Sequence, residues 1–343
     1  MKFVILLPGK SLNDATQHYV YIISQAIKTS GFAVRTVATS NLISSGEIIV
    51  IINVEDYLKT LKFLTNRKFI CWYQGIGEEE LIMENEKPTF QQKKVLKKIY
   101  FSEKFDLNFA NLNIFVSEAM QNYFYKKHNI KRKNRSFIMP CYNKSIYLPS
   151  FNEEKYKEPT FVYAGSINKW QCVEKTLEIY SLVEKRLKNA KLTLLAKESK
   201  ELHEMILKYN IQNYEIKYVK LEELDFELGK HKYGFLLREP HIVNKVSTPT
   251  KMNSYLANGL ICIYTNVVDS FEKHINLNDY TIKFDNLENA QNCADKIIAY
   301  QEKDIKCTEL LQTYKGLFED YYSDTKYISE LSNKITEIYG NAG

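Results

Sequence analysis

Short unbroken apolar runs, each followed by a longer stretch of helical period, recur along this chain and constrain its fold more than any other feature. KFVILLP (Lys2 to Pro8) is the first, closed by Pro8-Gly9, and AVRTVAT, EIIVIIN, FICWYQG, NIFVS and SFIMP follow. Runs that are apolar on both faces belong to strands covered on both faces, as in parallel sheets with helices on either side. A helix is expected between the first two runs, from about Asp14 to Thr29, stopped by Gly31. The stretch 148–160, LPSFNEEKYKEPT, has two prolines, high charge and no period, and reads as a linker. Beyond it the rhythm restarts with PTFVYAG, KLTLLA, EIKYV, YGFLLR, LICIYT and YTIKFD, with helical stretches between them. Alternating strand and helix implies right-handed crossovers and parallel sheets. The expectation is two Rossmann-like, doubly wound α/β domains facing a cleft, one over 1–150 and one over 151–320. A last amphipathic helix is expected over 321–343. In open sheets of this kind, ligands bind beyond the carboxyl ends of the strands.

Composition agrees with two cores. The chain has 343 residues, 45% of them hydrophobic, with 26% charged and 13% aromatic, which excludes disorder. Its net charge of +6 suits a phosphate-bearing partner and falls short of a nucleic-acid binder. The six cysteines are scattered, with no C-x-x-C pair, and are expected to be reduced, buried thiols. No apolar run approaches the roughly 20 residues that span a bilayer, and the run after Met1 is too short for a signal-peptide core. A cytoplasmic protein is expected. The turn after the first strand, PGKSLNDA, lacks the G-x-G-x-x-G of dinucleotide binders. No D-x-D pair stands in the expected loop and no His/Asp/Glu cluster has metal spacing, so no metal or other cofactor is expected.

The densest chemistry lies in Tyr233 to Thr265, YGFLLREPHIVNKVSTPTKMNSYLANGLICIYT. YGFLLR is an apolar strand that delivers Arg238 and Glu239 to the carboxyl edge. After a polar loop, Thr248 is placed to cap a helix, Pro249 suits its first turn, and Gly259 suits its stop. A helix start at a strand edge is an anion site, because its unpaired N–H groups and dipole both favour phosphate. Lys251 in the first turn opposes that dipole unless a diphosphate is bound. Arg238 and Lys245 lie close enough in sequence to join it. Ser247, Thr250 and Ser254 complete the polar set around this helix start. The same charges would also suit solvated loops.

PTKMNSYLANGLICIYT resembles the P-x-K-x-x-E-Y-L-A-x-G-x-P-V-I segment of retaining GT-B glycosyltransferases of the family 4 type, which assemble capsules, O-antigens and other bacterial surface glycans. FVYAGSINKW (Phe161 to Trp170) is similar to that family's opening strand and Gly loop, which faces the donor phosphates; the resemblance therefore implies roles for Gly165, Ser166 and Lys169. IFVSEAMQNYFYKKHNI resembles the family's valine-serine-helix element, and FIMPCYN its I-P-N-G-V-D junction. The resemblance spans the later part of the first half and most of the second. It implies a hexosyltransferase that uses a nucleotide diphosphate sugar, retains anomeric configuration and lets the leaving phosphate help to deprotonate the acceptor. The chain also departs from the family. Ser254 stands where many members carry the ribose-binding glutamate of E-x7-E, Val246 falls near the earlier acid, and Ser166 follows Gly165 in place of arginine. Glu239 is the nearest carboxylate and is kept as a candidate beside Arg238 and Lys251. These losses leave open a non-catalytic nucleotide-sugar-binding subunit that supports an active partner.

For the acceptor side, the resemblance implies that the loop begun by Gly9 meets the sugar. Trp72 and Gln74 end the fourth strand at the same edge, where they can stack on or hydrogen-bond a sugar, although Trp72 equally suits the core. His241 lies in the donor loop. QQKKVLKKIYFSEKF (Gln91 to Phe105) sets Val95, Leu96, Ile99 and Tyr100 at helical spacing beside Lys93, Lys94, Lys97 and Lys98. That basic amphipathic pattern suits either an anionic membrane surface or an ordinary solvated helix with a core face. KKHNIKRKNRS (Lys126 to Ser136) adds a second basic cluster.

Overall fold

The computed structural model describes residues 1–8, 14–52, 68–85, 87–131 and 135–340. The chain divides into two compact units, Met1–Asn143 with Val246–Thr248 and Tyr322–Gly343, and Lys144–Lys245 with Pro249–Tyr321.

The first unit is built on β1 (Lys2–Leu6), α1 (Asp14–Thr29), β2 (Ala33–Val37), β3 (Ile48–Ile51) and β4 (Phe69–Tyr73), then α2 (Gly77–Glu84), α3 (Phe90–Phe109), β5 (Leu112–Phe115), α4 (Glu118–His128) and β6 (Ser136–Ile138). Its sheet is parallel throughout, in the order β2-β1-β3-β4-β5-β6. Every residue of β3, β4 and β5 is buried, which is why these segments show no alternation in sequence. The helix over the basic stretch begins with a capping box: Thr89 accepts from Gln92 N, and Gln92 accepts from Thr89 N.

The second unit contains β7 (Thr160–Ala164), α5 (Val173–Glu184), β8 (Lys191–Leu195), α6 (Lys200–Lys208), β9 (Tyr214–Lys217), α7 (Leu221–Leu228), β10 (Tyr233–Leu236), α8 (Ile242–Val246), α9 (Thr250–Ala257), β11 (Ile261–Thr265), α10 (Asp269–His274), β12 (Thr281–Phe284), α11 (Ala290–Gln301) and α12 (Cys307–Asp320). Its six strands are again all parallel, in the order β12-β11-β10-β7-β8-β9. The two doubly wound parallel sheets expected are therefore observed, and each holds the six strands expected of it. The strand order reverses between β7 and β10, so the switch point of this sheet lies where those two strands end.

The last helix, α13 (Asp324–Tyr339), belongs to the first unit and packs along α1. Ser30 Oγ donates to Ser332 O at 3.0 Å, His18 Nε2 meets Asp324 Oδ1 at 3.0 Å, and the rings of Phe3 and Tyr339 meet edge to face at 5.3 Å.

The 148–160 stretch differs from the spacer its composition suggests. It folds as two tight turns, Leu148–Ser150 and Glu153–Tyr156, docked on the second unit. The buried Lys155 ammonium donates to Asn258 O at 2.6 Å, and the Tyr156 hydroxyl donates to Gly259 O at 2.7 Å. Proline and charge density signal a break in periodicity, and do not show which side chains find partners. All six cysteines are unpaired, and only Cys141 is not fully buried.

Candidate functional site

At the switch point, Tyr255 of α9 ties the two diverging strands together. Its hydroxyl accepts from Ala164 N at 3.0 Å and donates to Phe235 O at 3.2 Å. The ring reaches that position because residue 234 is glycine: a Cβ there would lie 2.6 Å from the Tyr255 ring. The N-terminus of α9 is thereby fixed against the ends of β7 and β10.

Gly165 follows β7 with φ +136°, a backbone region that side chains rarely adopt. The end of Lys251 occupies the space its missing side chain leaves, with Cε and Nζ at 2.6 and 2.8 Å from where a Cβ would stand. The Lys251 ammonium donates to Tyr163 OH at 3.0 Å and Gln171 Oε1 at 2.5 Å, and lies 4.2 Å from the Tyr163 ring centroid. Tyr163 in turn donates to the carbonyl of Ser166, which holds the turn after Gly165. Arg238 follows β10 and is buried. Its N–H donates to Thr265 Oγ1 at 2.9 Å, and its guanidinium meets the carbonyl of Leu237 at 3.0 Å. Burial pushes the pKa of both cations down, and Arg238 lowers that of Lys251 further. No carboxylate among the described residues pairs with either. Two basic groups are thus set in a poorly solvated corner beside a helix N-terminus, an arrangement in which an anion would favour the charged form of both.

Thr248 does not cap α9: the cap position is Pro249 and carries no side-chain hydrogen bond. Thr248 Oγ1 instead accepts from Cys141 N at 2.9 Å, because the threonine stands one residue too early to reach the first turn. The helix start is therefore left without a side-chain cap. Gly259, φ +67°, ends the helix in the left-handed conformation, as its position suggests. Ser254 spends its hydroxyl on Thr250 O at 3.2 Å within the helix, and Thr250 is half-buried. Ser247 is half-buried, Lys169 is exposed on the turn Lys169–Gln171, and Lys245 is exposed in the last turn of α8. Glu239 is exposed, and its carbonyl, not its carboxylate, is engaged, accepting from Asn244 Nδ2 at 3.0 Å. His241 is exposed, with Nδ1 accepting from Val243 N at 3.2 Å at the start of α8. The structure therefore brings Gly165, Ser166, Arg238 and Lys251 together and leaves Lys169, Lys245, Glu239 and His241 on the surrounding surface. Tyr163, Gln171 and Tyr255 hold the site but carry no sequence signal of that role beyond a tyrosine at a strand end or inside a helix.

In the first unit, Trp72 is buried in β4, edge-on to Tyr19 at 4.5 Å, and Gln74 half-buried just after it, with Nε2 donating to Ile52 O at 3.0 Å. Gly9 lies outside the described residues, as do 132–134 of the second basic cluster. Lys127 of that cluster is no free cation: it reaches Glu78, Glu79 and Glu103 at 2.6, 2.8 and 3.0 Å. In α3, Ile99 faces the core, while Phe90, Val95, Phe101 and Phe109 are exposed among Lys93, Lys94, Lys97, Lys98 and Lys104. No group of three or more His, Cys, Asp or Glu among the described residues could hold a metal ion, and no described helix is long and apolar enough to cross a membrane.

No protein-family profile and no curated protein matches the sequence. Solved structures do match the fold. Sucrose-phosphate synthase from Thermosynechococcus elongatus superposes with a TM-score of 0.73 at 11% identity, covering 99% of this chain and 100% of the other. Anabaena Alr3699/HepE, solved with UDP-glucose, gives 0.67 at 11% identity over 98% of this chain and 100% of the other. Staphylococcus aureus TarM, solved with fondaparinux, α-GlcNAc-glycerol and UDP, gives 0.63 at 15% identity over 84% of this chain, which spans 55% of the length of TarM. With its two six-stranded parallel sheets flanked by helices, the chain has the GT-B fold of these nucleotide-sugar glycosyltransferases.

Proposed function

We propose that the protein is a glycosyltransferase that takes a hexose from a nucleoside diphosphate donor and passes it to a glycan or lipid-linked acceptor in bacterial surface polysaccharide synthesis. The observation that carries this reading is a pair of basic side chains, the buried Arg238 and the half-buried Lys251, with no carboxylate partner among the described residues, at the uncapped start of α9 on the switch point of the second sheet. As the bond from the anomeric carbon to the donor oxygen breaks, negative charge grows on the leaving β-phosphate. Cations and helix N–H groups aimed there stabilise the transition state more than the ground state. The Gly165 turn lets the diphosphate approach the backbone without a side chain in the way. These groups supply the charge stabilisation without a metal ion, and the leaving phosphate is then placed to take the acceptor proton, with retention at the anomeric carbon. TarM and HepE were solved with UDP or UDP-glucose, which makes UDP the first nucleotide to test.

The acceptor side of the reading rests on the first unit, and its place of action on α3. Exposed phenylalanines interleaved with lysines suit the surface of an anionic membrane, which would set the enzyme on the cytoplasmic face beside a lipid-linked acceptor.

Calorimetry with UDP, GDP and CMP on the wild type and on Lys251→Ala tests the donor site. Micromolar binding of one diphosphate, weakened about tenfold or more in the variant as befits a lost charged hydrogen bond, is expected. Absence of binding to all three would overturn it. A second reading, a nucleotide-sugar-binding subunit without turnover, is favoured by Ser254, whose hydroxyl is already engaged within its helix. Transfer of sugar by the purified chain alone would exclude it.

A further inference from the structure

In the second unit, β9 is an edge of its sheet. It pairs with β8 on one side and, among the described residues, with nothing on the other. Leu192 N donates to Asn213 O at 3.1 Å, and Ala196 N to Lys217 O at 3.1 Å. Glu215 and Lys217 therefore turn their backbone groups to β8. The alternation of a parallel ladder turns those of Tyr214 and Ile216, and the N–H of Tyr218 just beyond the strand, to the open edge. Such a row of free N–H and C=O groups is a template for another strand. The side chains around it are partly apolar: Tyr218 is 81% exposed and Tyr214 36%, and Leu207 of α6 and Phe226 of α7, the helices before and after β9, are exposed too. A lysine on an edge ordinarily deters pairing, but Lys217 Nζ is offset by Glu215 Oε1 at 2.9 Å.

The order of residues along this edge is self-complementary. Tyr214-Glu215-Ile216-Lys217-Tyr218, turned end over end about Ile216, sets tyrosine on tyrosine and glutamate on lysine. Two copies laid antiparallel about a two-fold axis at Ile216 exchange hydrogen bonds between Ile216 and Ile216 and between Tyr214 and Tyr218, all of which face the edge. Glu215 and Lys217 then fall opposite each other at non-hydrogen-bonded positions, where side chains come closest. Each glutamate has a lysine beside it on its own strand and another across the axis. Within the chain the same face continues the alternation, with Lys191 Nζ 3.1 Å from Glu215 and Glu227 Oε1 3.2 Å from Lys217. Sliding the two copies by two residues keeps the edge groups facing but sets Glu215 against Glu215 in one direction and Lys217 against Lys217 in the other. Like charges directly opposite are destabilising, so the charge order selects one register.

We propose that the open edge of β9 is a self-recognition surface, on which a second copy of this chain adds its own β9 antiparallel about Ile216 and joins the two six-stranded sheets edge to edge. The interface is isologous and closes at two copies. Main-chain hydrogen bonds and the two tyrosine pairs hold it, and the Glu215–Lys217 pairs fix its register. The paired stretch is short, which places the dimer among the weaker, concentration-dependent assemblies. The inference goes beyond the glycosyltransferase reading and does not depend on it.

The test is sedimentation of the full chain from micromolar to near-millimolar concentration, where a monomer–dimer equilibrium is expected. Tyr218→Glu changes an exposed side chain that the fold does not need, removes both tyrosine pairs, and is expected to weaken the dimer about tenfold. Glu215→Lys and Lys217→Glu each set like charges opposite one another twice over, and each is expected to weaken it about tenfold or more. An equimolar mixture of those two variants should associate as the wild type does, because the lysine strand of one then faces the glutamate strand of the other at both positions. A chain that stays monomeric throughout, one that grows past the dimer, or a dimer indifferent to Tyr218→Glu or to the charge reversals overturns the proposal. So does a mixture that fails to associate although each variant keeps the wild-type circular dichroism spectrum. Should either charge variant lose that spectrum, Tyr218→Glu decides alone.

Discussion

Lys251 and Arg238 show how a residue's environment, more than its identity, makes a site: both are common surface residues, and here both lose hydration and pair with no carboxylate among the described residues. The same physics acts elsewhere on His231. It is buried after α7, neither ring nitrogen has a hydrogen-bond partner among the described residues, and Glu227 Oε1 is 3.9 Å away. Burial pulls its pKa down to about 4 from the ordinary 6.5, so it is neutral at pH 7. Between those values the unfolded chain binds a proton that the folded chain refuses. Stability is therefore full above about pH 6.5 and falls as pH drops towards 4, by up to about 1.4 kcal/mol per pH unit. His231→Phe is expected to lose about 2 kcal/mol less than the wild type between pH 7 and pH 5, measured by urea midpoints. Parallel losses in the two proteins would assign the acid lability to other groups.

At the scale of elements, α3 serves two surfaces. Ile99, Ser102, Glu103, Asp106 and Leu107 face the core, and the opposite face presents Phe90, Phe101 and Phe109 between lysines. The exposed apolar set is thus Phe90, Val95, Phe101 and Phe109, and differs from the Val95, Leu96, Ile99 and Tyr100 suggested by period, because Ile99 belongs to the core. Each lysine near an anionic surface contributes about 1 kcal/mol of attraction. Lys93→Glu/Lys97→Glu is expected to lower retention on vesicles with anionic lipid by an order of magnitude or more, and Phe101→Ser to lower it at high salt, where charge is screened. Retention of the charge variant at the wild-type level would remove the membrane from the proposal.

For the whole molecule, the consequential fact is that the chain's last described helix is part of its first unit. Tyr327, Leu331, Ile335 and Tyr339 are buried there. Each such side chain contributes about 1.5–3 kcal/mol when fully buried, against a total stability of about 5–15 kcal/mol for a typical domain. A chain ending at Tyr321 is expected to leave the first unit unfolded or aggregating, visible as lost protection of α1 amides in hydrogen exchange. Leu331→Ala, costing about 2–5 kcal/mol, is the milder form, expected to lower the first unit's melting temperature. A truncated chain with wild-type protection of α1 would show that the helix is dispensable.

The sequence by itself determined the two parallel sheets, because a strand buried on both faces must be apolar at every position, and that is visible without knowing its neighbours. It also determined where α9 ends, from a left-handed glycine, while the helix begins one residue later than the Thr248 cap implied. Tertiary structure alone decided what Thr248 bonds to, that 148–160 docks by Lys155 and Tyr156, and that Lys127 is spoken for by three glutamates. It decided, too, that Tyr255 reaches across Gly234 and that Glu80 folds over Gly75. Periodicity records which face of an element is buried. The partner of a polar atom depends on side chains far away in sequence, and no local pattern encodes that distance.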